Sequence, residues 1–247
     1  MKELFSMWKN TRMILLVALC AAVYAAVLIA FKAGIVIIPG ITEIRPANIL
    51  PIVFSLLFGP AAAWGTGVGN LIGDFLGGTL GPGSAFGFAG NFFLGYVPYK
   101  IWGQLFVLSS GEEPRMRTAR QWLEFIVIGF ISAAVCAVII AWGLEVLGLV
   151  PFSILSTIIT LNNTAAHIVG GLLLLLLWDR VRRMGLYWKD VMAPEDIARP
   201  VAPKGGSLLM LIGGVGGWLI VAFLMPGAAI PVGAIFVLAI LATLFLL

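Results

Sequence analysis

The chain has 247 residues, of which 61% are hydrophobic and 11% are charged, and its mean hydropathy is +1.10. This composition excludes an ordinary soluble domain. The formal net charge of +4 does not indicate nucleic-acid binding, because lysine and arginine lie near the ends of apolar runs, where membrane topology places them. The repeated apolar runs, each about 18–20 residues long, predict an all-α integral membrane protein.

Eight segments are predicted to span or enter the membrane. They are Met13–Phe31, Ala47–Phe58, Ala61–Gly78, Phe86–Leu108, Glu124–Leu147, Phe152–Trp178, Leu208–Met225 and Pro231–Leu247. The second is too short for a hydrocarbon core of about 30 Å. We expect it to be tilted, irregular at the Pro46 end, or sheltered by neighbouring helices. The first is interpreted as a retained helix, because more membrane sequence follows it.

The predicted organisation has three parts: a six-helix substrate-binding membrane domain over residues 1–180, a cytoplasmic linker over 181–206, and two appended transmembrane helices over 207–247. If the N-terminus is cytoplasmic, most lysines and arginines fall on the inner side, whereas Lys32 and Arg45 fall outside. This asymmetry predicts a multi-pass plasma-membrane protein with both termini in the cytoplasm.

Two rows of small residues predict close helix contacts. The rows are Ala18, Ala22 and Ala26 on the first span, and Gly65, Gly69, Gly73 and Gly77 on the third. Asn70 and Asp74 lie among these glycines. Asp at the centre of a membrane helix costs about 2.5–3.5 kcal/mol, so we expect Asp74 to face protein or water.

With this orientation, polar side chains from several spans converge on the outer half of the membrane. The predicted substrate-binding residues are Arg45, Asn48, Asp74, Ser84, Asn91, Trp142, Glu145, Asn163 and His167. Asn163 and His167 are four residues apart and therefore share a helix face.

Each of these residues also has a structural interpretation. The asparagines and His167 could hold the bundle together by interhelical hydrogen bonds, which we favour for Asn70. Arg45 and Asp74 could form an ion pair. Trp142 and Phe86, Phe88, Phe92 and Phe93 could stack on a planar ligand or serve as interface anchors.

Several chemistries are missing from the sequence. It has no GxxxxGK[ST] motif for ATP hydrolysis, and no GxSxG or HExxH motif. One histidine and two unpaired cysteines, Cys20 and Cys136, do not suggest a metal site. We therefore predict no enzymatic activity, no cofactor and no bound metal.

The chain resembles the substrate-specific S components of energy-coupling factor (ECF) transporters over about Met13 to Trp178. The segments that carry the resemblance are Arg45–Pro60, Gly65–Asp74, Gly81–Ser84 and Phe86–Asn91. The resemblance implies a six-helix bundle that binds a vitamin or related micronutrient on the outer side. It also implies that an alanine-rich first helix, here with Ala18, Ala22 and Ala26, docks onto a membrane coupling subunit driven by two cytosolic ATPases. The last two spans depart from this pattern.

The sequence therefore predicts a membrane-embedded subunit for uptake of a small organic micronutrient, with the loops Thr42–Asn48 and Gly77–Gly87 as candidate lids. Riboflavin, thiamine, biotin, a cobalamin precursor and a queuosine precursor all remain possible ligands. The alternatives are a self-sufficient secondary transporter, an intramembrane enzyme using His167 and Glu145, and a purely structural subunit.

Overall fold

A computed structural model describes residues 1–31, 36–38, 42–43 and 45–247. Its helices are α1 (Lys2–Ser6), α2 (Thr11–Phe31), α3 (Leu50–Phe58), α4 (Pro60–Leu76), α5 (Gly83–Ile101), α6 (Ala119–Val146), α7 (Phe152–Arg183), α8 (Trp188–Val191), α9 (Pro203–Leu211), α10 (Gly217–Leu219) and α11 (Ala229–Leu246). Two short antiparallel strands that the sequence did not predict, β1 (Val36–Ile38) and β2 (Thr42–Glu43), precede α3. Lys32, and Ile44 within the predicted lid, lie outside the described residues.

Short irregular helices connect several of these elements. The 3-10 turns are Met7–Lys9, Pro46–Ile49, Phe106–Leu108, Pro194–Asp196 and Pro226–Ala228, and the π-helical segments Ile212–Gly216 and Ile220–Leu224 flank α10.

Among the described residues, five helical stretches are long and apolar enough to cross a membrane. They are Thr11–Phe31, Ala119–Val146, Phe152–Val191, Pro203–Leu224 and Pro226–Leu246. A helical, multi-pass membrane protein is therefore confirmed. Helices α4 and α5 are not among these five. Helix α4 has only 17 residues, and α5 is less apolar than the five because it contains several glycines and polar side chains. The predicted arrangement of six helices plus two stays a prediction.

Close packing of α2 on α4 follows from the glycines of α4. A Cβ atom at Gly65 would lie 2.4 Å from Cys20 Cβ, and one at Gly69 would lie 2.8 Å from the carbonyl oxygen of Ala21. The glycine row thus brings the two backbones together, as its spacing predicted. From α4 the packing continues to α5, from α5 to α6, and from α6 to α7.

Helix α3 accounts for the short second span. It is preceded by the 3-10 turn Pro46–Ile49 and is packed against α5 and α7, so all its residues after Leu50 are buried. A short apolar helix is stable in a membrane protein when protein surrounds it. The irregular Pro46 end and the sheltering by neighbours were both anticipated from its length.

The appended pair consists of Pro203–Leu224 and Pro226–Leu246, and it packs on α6. A Cβ atom at Gly214 would lie 2.6 Å from Val135 Cγ2 and 3.0 Å from the Val135 backbone nitrogen. Trp218 also donates a hydrogen bond of 3.1 Å to Thr157 Oγ1 on α7. These contacts attach the pair directly to the bundle.

Both chain termini lie at one end of the bundle, which we call the terminal end. Glu3 is buried there and forms an ion pair with Lys100, which also donates to the carbonyl oxygen of Leu247. The backbone nitrogen of Ala198, in the segment after α7, donates to Glu3 Oε2 at 3.2 Å. The carboxylate of Glu3 therefore joins the N-terminal segment, α5 and the linker.

Candidate functional site

A cavity of about 320 Å³ lies at the other end of the bundle, which we call the cavity end. Its polar lining comes from the segment before α3, from α4, α5 and α7, and from the loop between α4 and α5. These polar residues are Arg45, Asn48, Asn70, Asp74, Thr79, Ser84, Asn91, Asn162 and Asn163. The apolar lining includes Leu28, Ile140, Leu144, Leu149, Leu155 and Ile159. The volume falls within the range of about 300–1,000 Å³ that is usual for small-molecule sites.

One wall of the cavity is a row of hydrogen-bonded amides. The Asn70 side chain donates to Asp74 Oδ2 at 3.2 Å, and Asn91 Nδ2 donates to Asn70 Oδ1 at 3.1 Å. Asn91 Nδ2 also donates to the carbonyl oxygen of Gly87 at 2.8 Å. Helices α4 and α5 thus hold one another's polar side chains in fixed positions.

Tyr24 of α2 continues this row toward α7. Its hydroxyl lies 2.8 Å from Asn91 Oδ1 and 2.7 Å from the Asn48 side-chain amide, and the Asn48 and Asn163 amides are hydrogen-bonded to each other. Asn163 Nδ2 is 3.8 Å from Cys136 Sγ. The row therefore crosses the bundle from α4 to α7, and all of these asparagines are almost fully buried.

A glycine permits this arrangement between α4 and α5. A Cβ atom at Gly87 would lie 2.8 Å from Asn70 Nδ2 and 3.8 Å from Asp74 Oδ2. A side chain there would displace the Asn70 amide from its carboxylate partner. Gly87 is therefore part of the site, although it has no functional group.

The structure brings six of the nine predicted substrate-binding residues together around the cavity. They are Arg45, Asn48, Asp74, Ser84, Asn91 and Asn163. Ser84 is the second residue of α5, and its Oγ accepts from the Gly81 backbone nitrogen at 3.2 Å. Whether these residues bind a ligand stays a prediction, as does the ion pair between Arg45 and Asp74.

The other three predicted residues do not line the cavity. Trp142 donates to the carbonyl oxygen of Ile230 in the appended pair at 3.0 Å. The Glu145 carboxylate accepts from the Phe152 backbone nitrogen, where α7 begins. His167 lies deeper, and its Nδ1 is 3.0 Å from the carbonyl oxygen of Gly129 on α6. The expectation that these three share a cavity with the others needs correction, because each is engaged between helices.

The predicted aromatic stacking surface also lies elsewhere. Phe86 packs on Trp142, and Phe88 and Phe92 pack on Trp64. Within the described part of the chain, the cavity wall contains no aromatic side chain, and aliphatic residues provide its apolar surface.

Sequence reasoning missed Asn70, Thr79, Asn162 and Cys136 as lining residues and Tyr24 as a residue behind the wall. The position of Asn70, four residues before Asp74, was an available signal, because residues at that spacing share a helix face. Tyr24 gave no such signal, since tyrosine is common in membrane helices.

The lining chemistry suits an organic ligand better than a metal ion. In the described ranges, no three His, Cys, Asp or Glu side chains come close enough together to hold a metal. Amides, a carboxylate and a guanidinium offer instead both donors and acceptors to the edge of a polar heterocycle.

Comparison with known proteins decides the family. The family model described as QueT transporter matches residues 14–180, about two thirds of the chain. The chain belongs to the QueT transporter family. QueT proteins are S components of ECF transporters for queuosine precursors, so the resemblance to S components is confirmed, and the chain is a transporter component rather than an enzyme. No curated protein and no solved structure matches the chain. The match includes the lining residues and ends before the linker and the appended pair.

Proposed function

We propose that this QueT-family chain captures a queuosine precursor from outside the cell for uptake driven by a partner ATPase module. The observation that carries the proposal is the cavity wall in which Arg45, Asp74 and the asparagines meet. Membership of the family supports the ligand class. The proposed binding residues are Arg45, Asn48, Asp74, Ser84, Asn91 and Asn163.

The chemistry of the wall suits a 7-deazaguanine base. Such a base has a ring N–H and an exocyclic amine on one edge. Both can donate hydrogen bonds to a single carboxylate such as that of Asp74. Its carbonyl oxygen and ring nitrogen can accept from Arg45 or from an asparagine amide. The aliphatic side chains of Ile140, Leu144 and Leu155 would cover the flat faces of the ring.

The proposed orientation places the cavity end outside and the terminal end in the cytoplasm. The lysines and arginines of the N-terminal segment, the α5–α6 loop and the linker support it by the positive-inside rule. We further propose six helices as the binding bundle and the appended pair as an addition to it.

The proposed docking surface for a membrane coupling subunit is the outer face of α2. Ala18, Ala22 and Ala26 are exposed there, whereas Ala21 and Ala25 on the other face are buried. Exposed small residues at four-residue spacing permit close approach of another helix. The appended pair does not cover this row, since the three alanines are exposed with the pair in place.

A binding panel tests the ligand. We expect 7-cyano- or 7-aminomethyl-7-deazaguanine to raise the melting temperature of the purified full chain, because a ligand at 100 times its Kd stabilises the native state by about 2.7 kcal/mol. Guanine, riboflavin, thiamine and biotin serve as comparison compounds. Stabilisation by one of the vitamins alone would contradict the proposed ligand.

A second assay tests the energy source. We expect proteoliposomes with the chain alone not to accumulate the bound compound, and those that also contain an ECF coupling subunit and its ATPases to accumulate it with ATP. Accumulation by the chain alone would support the secondary-transporter alternative instead.

A further inference from the structure

Tyr24 does not line the cavity, yet it connects two residues that do. Its side chain is fully buried on α2, and its hydroxyl contacts Asn48 and Asn91. Asn48 lies before α3 and Asn91 lies on α5. One hydroxyl therefore joins three parts of the bundle directly behind the polar wall.

The direction of the hydrogen bonds follows from the fixed end of the row. Asp74 is a carboxylate and accepts, so Asn70 presents its NH₂ to it and its oxygen to Asn91. Asn91 presents its NH₂ to Asn70 and to the Gly87 carbonyl, which leaves its oxygen facing Tyr24. The single hydroxyl proton of Tyr24 is thus donated to Asn91.

The other half of the row must then be arranged to match. Because the hydroxyl proton is used, Tyr24 Oη accepts from Asn48, which requires the Asn48 amide to turn its NH₂ toward Tyr24. Its oxygen then faces Asn163, whose amide also turns so that its NH₂ donates. Once turned, the Asn163 amide presents its oxygen, in place of its nitrogen, to Cys136 Sγ, a weak donor. Every donor in the row now points toward Asp74.

We propose that Tyr24 is a positioning residue, which fixes the amide orientations that the ligand meets at the cavity wall. This inference rests on the proposed function of the cavity. Hydrogen bonds aligned in one direction polarise each other, so a fault at Tyr24 affects both halves of the row. Without the hydroxyl, the Asn91 oxygen loses its donor and Asn48 is free to turn.

The test is the affinity of the full chain for 7-cyano- and 7-aminomethyl-7-deazaguanine, measured by calorimetry with the Tyr24→Phe variant. We expect affinity to fall about tenfold, because both hydrogen bonds of the Tyr24 hydroxyl are lost and the Asn91 oxygen is left without its donor. The matched control is Tyr96→Phe. Tyr96 is equally buried on α5, and its hydroxyl has no hydrogen-bond partner among the described residues, so we expect affinity within twofold of wild type.

A double-mutant cycle separates positioning from a general structural effect. In an Asn48→Ala background, Tyr24→Phe should cost clearly less affinity than in the wild type, because both residues act through the same row. Unchanged affinity of Tyr24→Phe, equal losses at Tyr24 and Tyr96, or strictly additive losses in the cycle would each overturn the inference. If the wild type binds no compound of the panel, the proposed function itself fails. If the wild type binds and the Tyr24→Phe variant binds equally well, only the inference about Tyr24 fails.

Discussion

At the residue scale, Asn163 and His167 show how far helix periodicity can locate a site. They share one face of α7, as their spacing predicted, but only Asn163 lines the cavity. His167 lies about 6 Å further along the helix, at 1.5 Å per residue. There it meets α6 at Gly129, where a Cβ atom would lie 3.1 Å from His167 Cβ. One helical turn therefore separates a cavity residue from a packing residue.

This separation gives a test of the site. We expect Asn163→Ala to weaken ligand binding about tenfold, because it removes an amide from the wall. His167→Ala should lower the melting temperature, since it leaves a void between α6 and α7, but affinity should stay within about twofold. Calorimetry and thermal melting of both variants measure the two effects. Loss of affinity at His167 with none at Asn163 would remove the amide wall from the binding site.

At the element scale, α2 has two small-residue faces with different surroundings. The inner face buries Ala21 and Ala25 beside the glycines of α4, and the outer face exposes Ala18, Ala22 and Ala26. The glycine spacing in α4 explains the inner contact. The small residues of the outer row are exposed, so no packing contact within the described part of the chain explains their spacing.

A bulky residue in the outer row should therefore reduce ATP-driven transport without changing ligand affinity. We expect Ala22→Leu to keep ligand affinity but to reduce ATP-driven uptake at least fivefold in proteoliposomes with a coupling module, because leucine prevents close helix approach. Ala242→Leu makes the same change on the exposed side of α11 and should leave uptake unchanged. Equal uptake by the two variants would contradict docking at this row.

The sequence predicted helix positions well and helix orientation less well. Apolar runs located the helices, and spacing explained the α2–α4 contact, because glycine packing depends on local sequence. The inner side of α6 could not be predicted, since this helix is apolar all round and gives no signal for a buried face. Trp142 and Glu145 were therefore assigned to the cavity, whereas they contact the appended pair and the start of α7. The role of Tyr24 could not be predicted, because it depends on where the segment before α3 and helix α5 lie relative to α2.

At the scale of the whole molecule, the buried pair of Glu3 and Lys100 joins segments that are distant in sequence. Burial by itself would raise the pKa of Glu3, but the charge and hydrogen bond of Lys100 more than offset this effect, so the pKa lies below its ordinary value of 4.5. A carboxylate with a lowered pKa stabilises the fold above its ordinary pKa. The stabilisation is lost as pH falls through the lower, folded-state value.

We therefore expect Glu3→Gln to destabilise the protein by roughly 3 kcal/mol at pH 7, because Lys100 loses its buried partner. The difference from wild type should begin to shrink as the pH falls below about 4.5, and it should disappear below the lower folded-state pKa, where protonation of Glu3 removes the same charge. Glu113→Gln breaks exposed ion pairs with Arg115 and Arg182 and should cost less than about 1 kcal/mol. Melting temperatures in detergent at pH 7 and pH 4 measure both variants, and equal effects would show that the Glu3 pair contributes little.

The tight fit at Gly214 determines how the appended pair can move. The backbone of α6 lies so close to this glycine that the pair cannot slide or separate without opening the contact. A rotation of the bundle in the bilayer that keeps this contact would turn α9 to α11 with it. The lipids that rearrange around such a rotating body would include those beside the outward-facing Phe223, Leu238 and Phe245, so the frictional resistance to rotation would be set partly by helices that do not line the cavity.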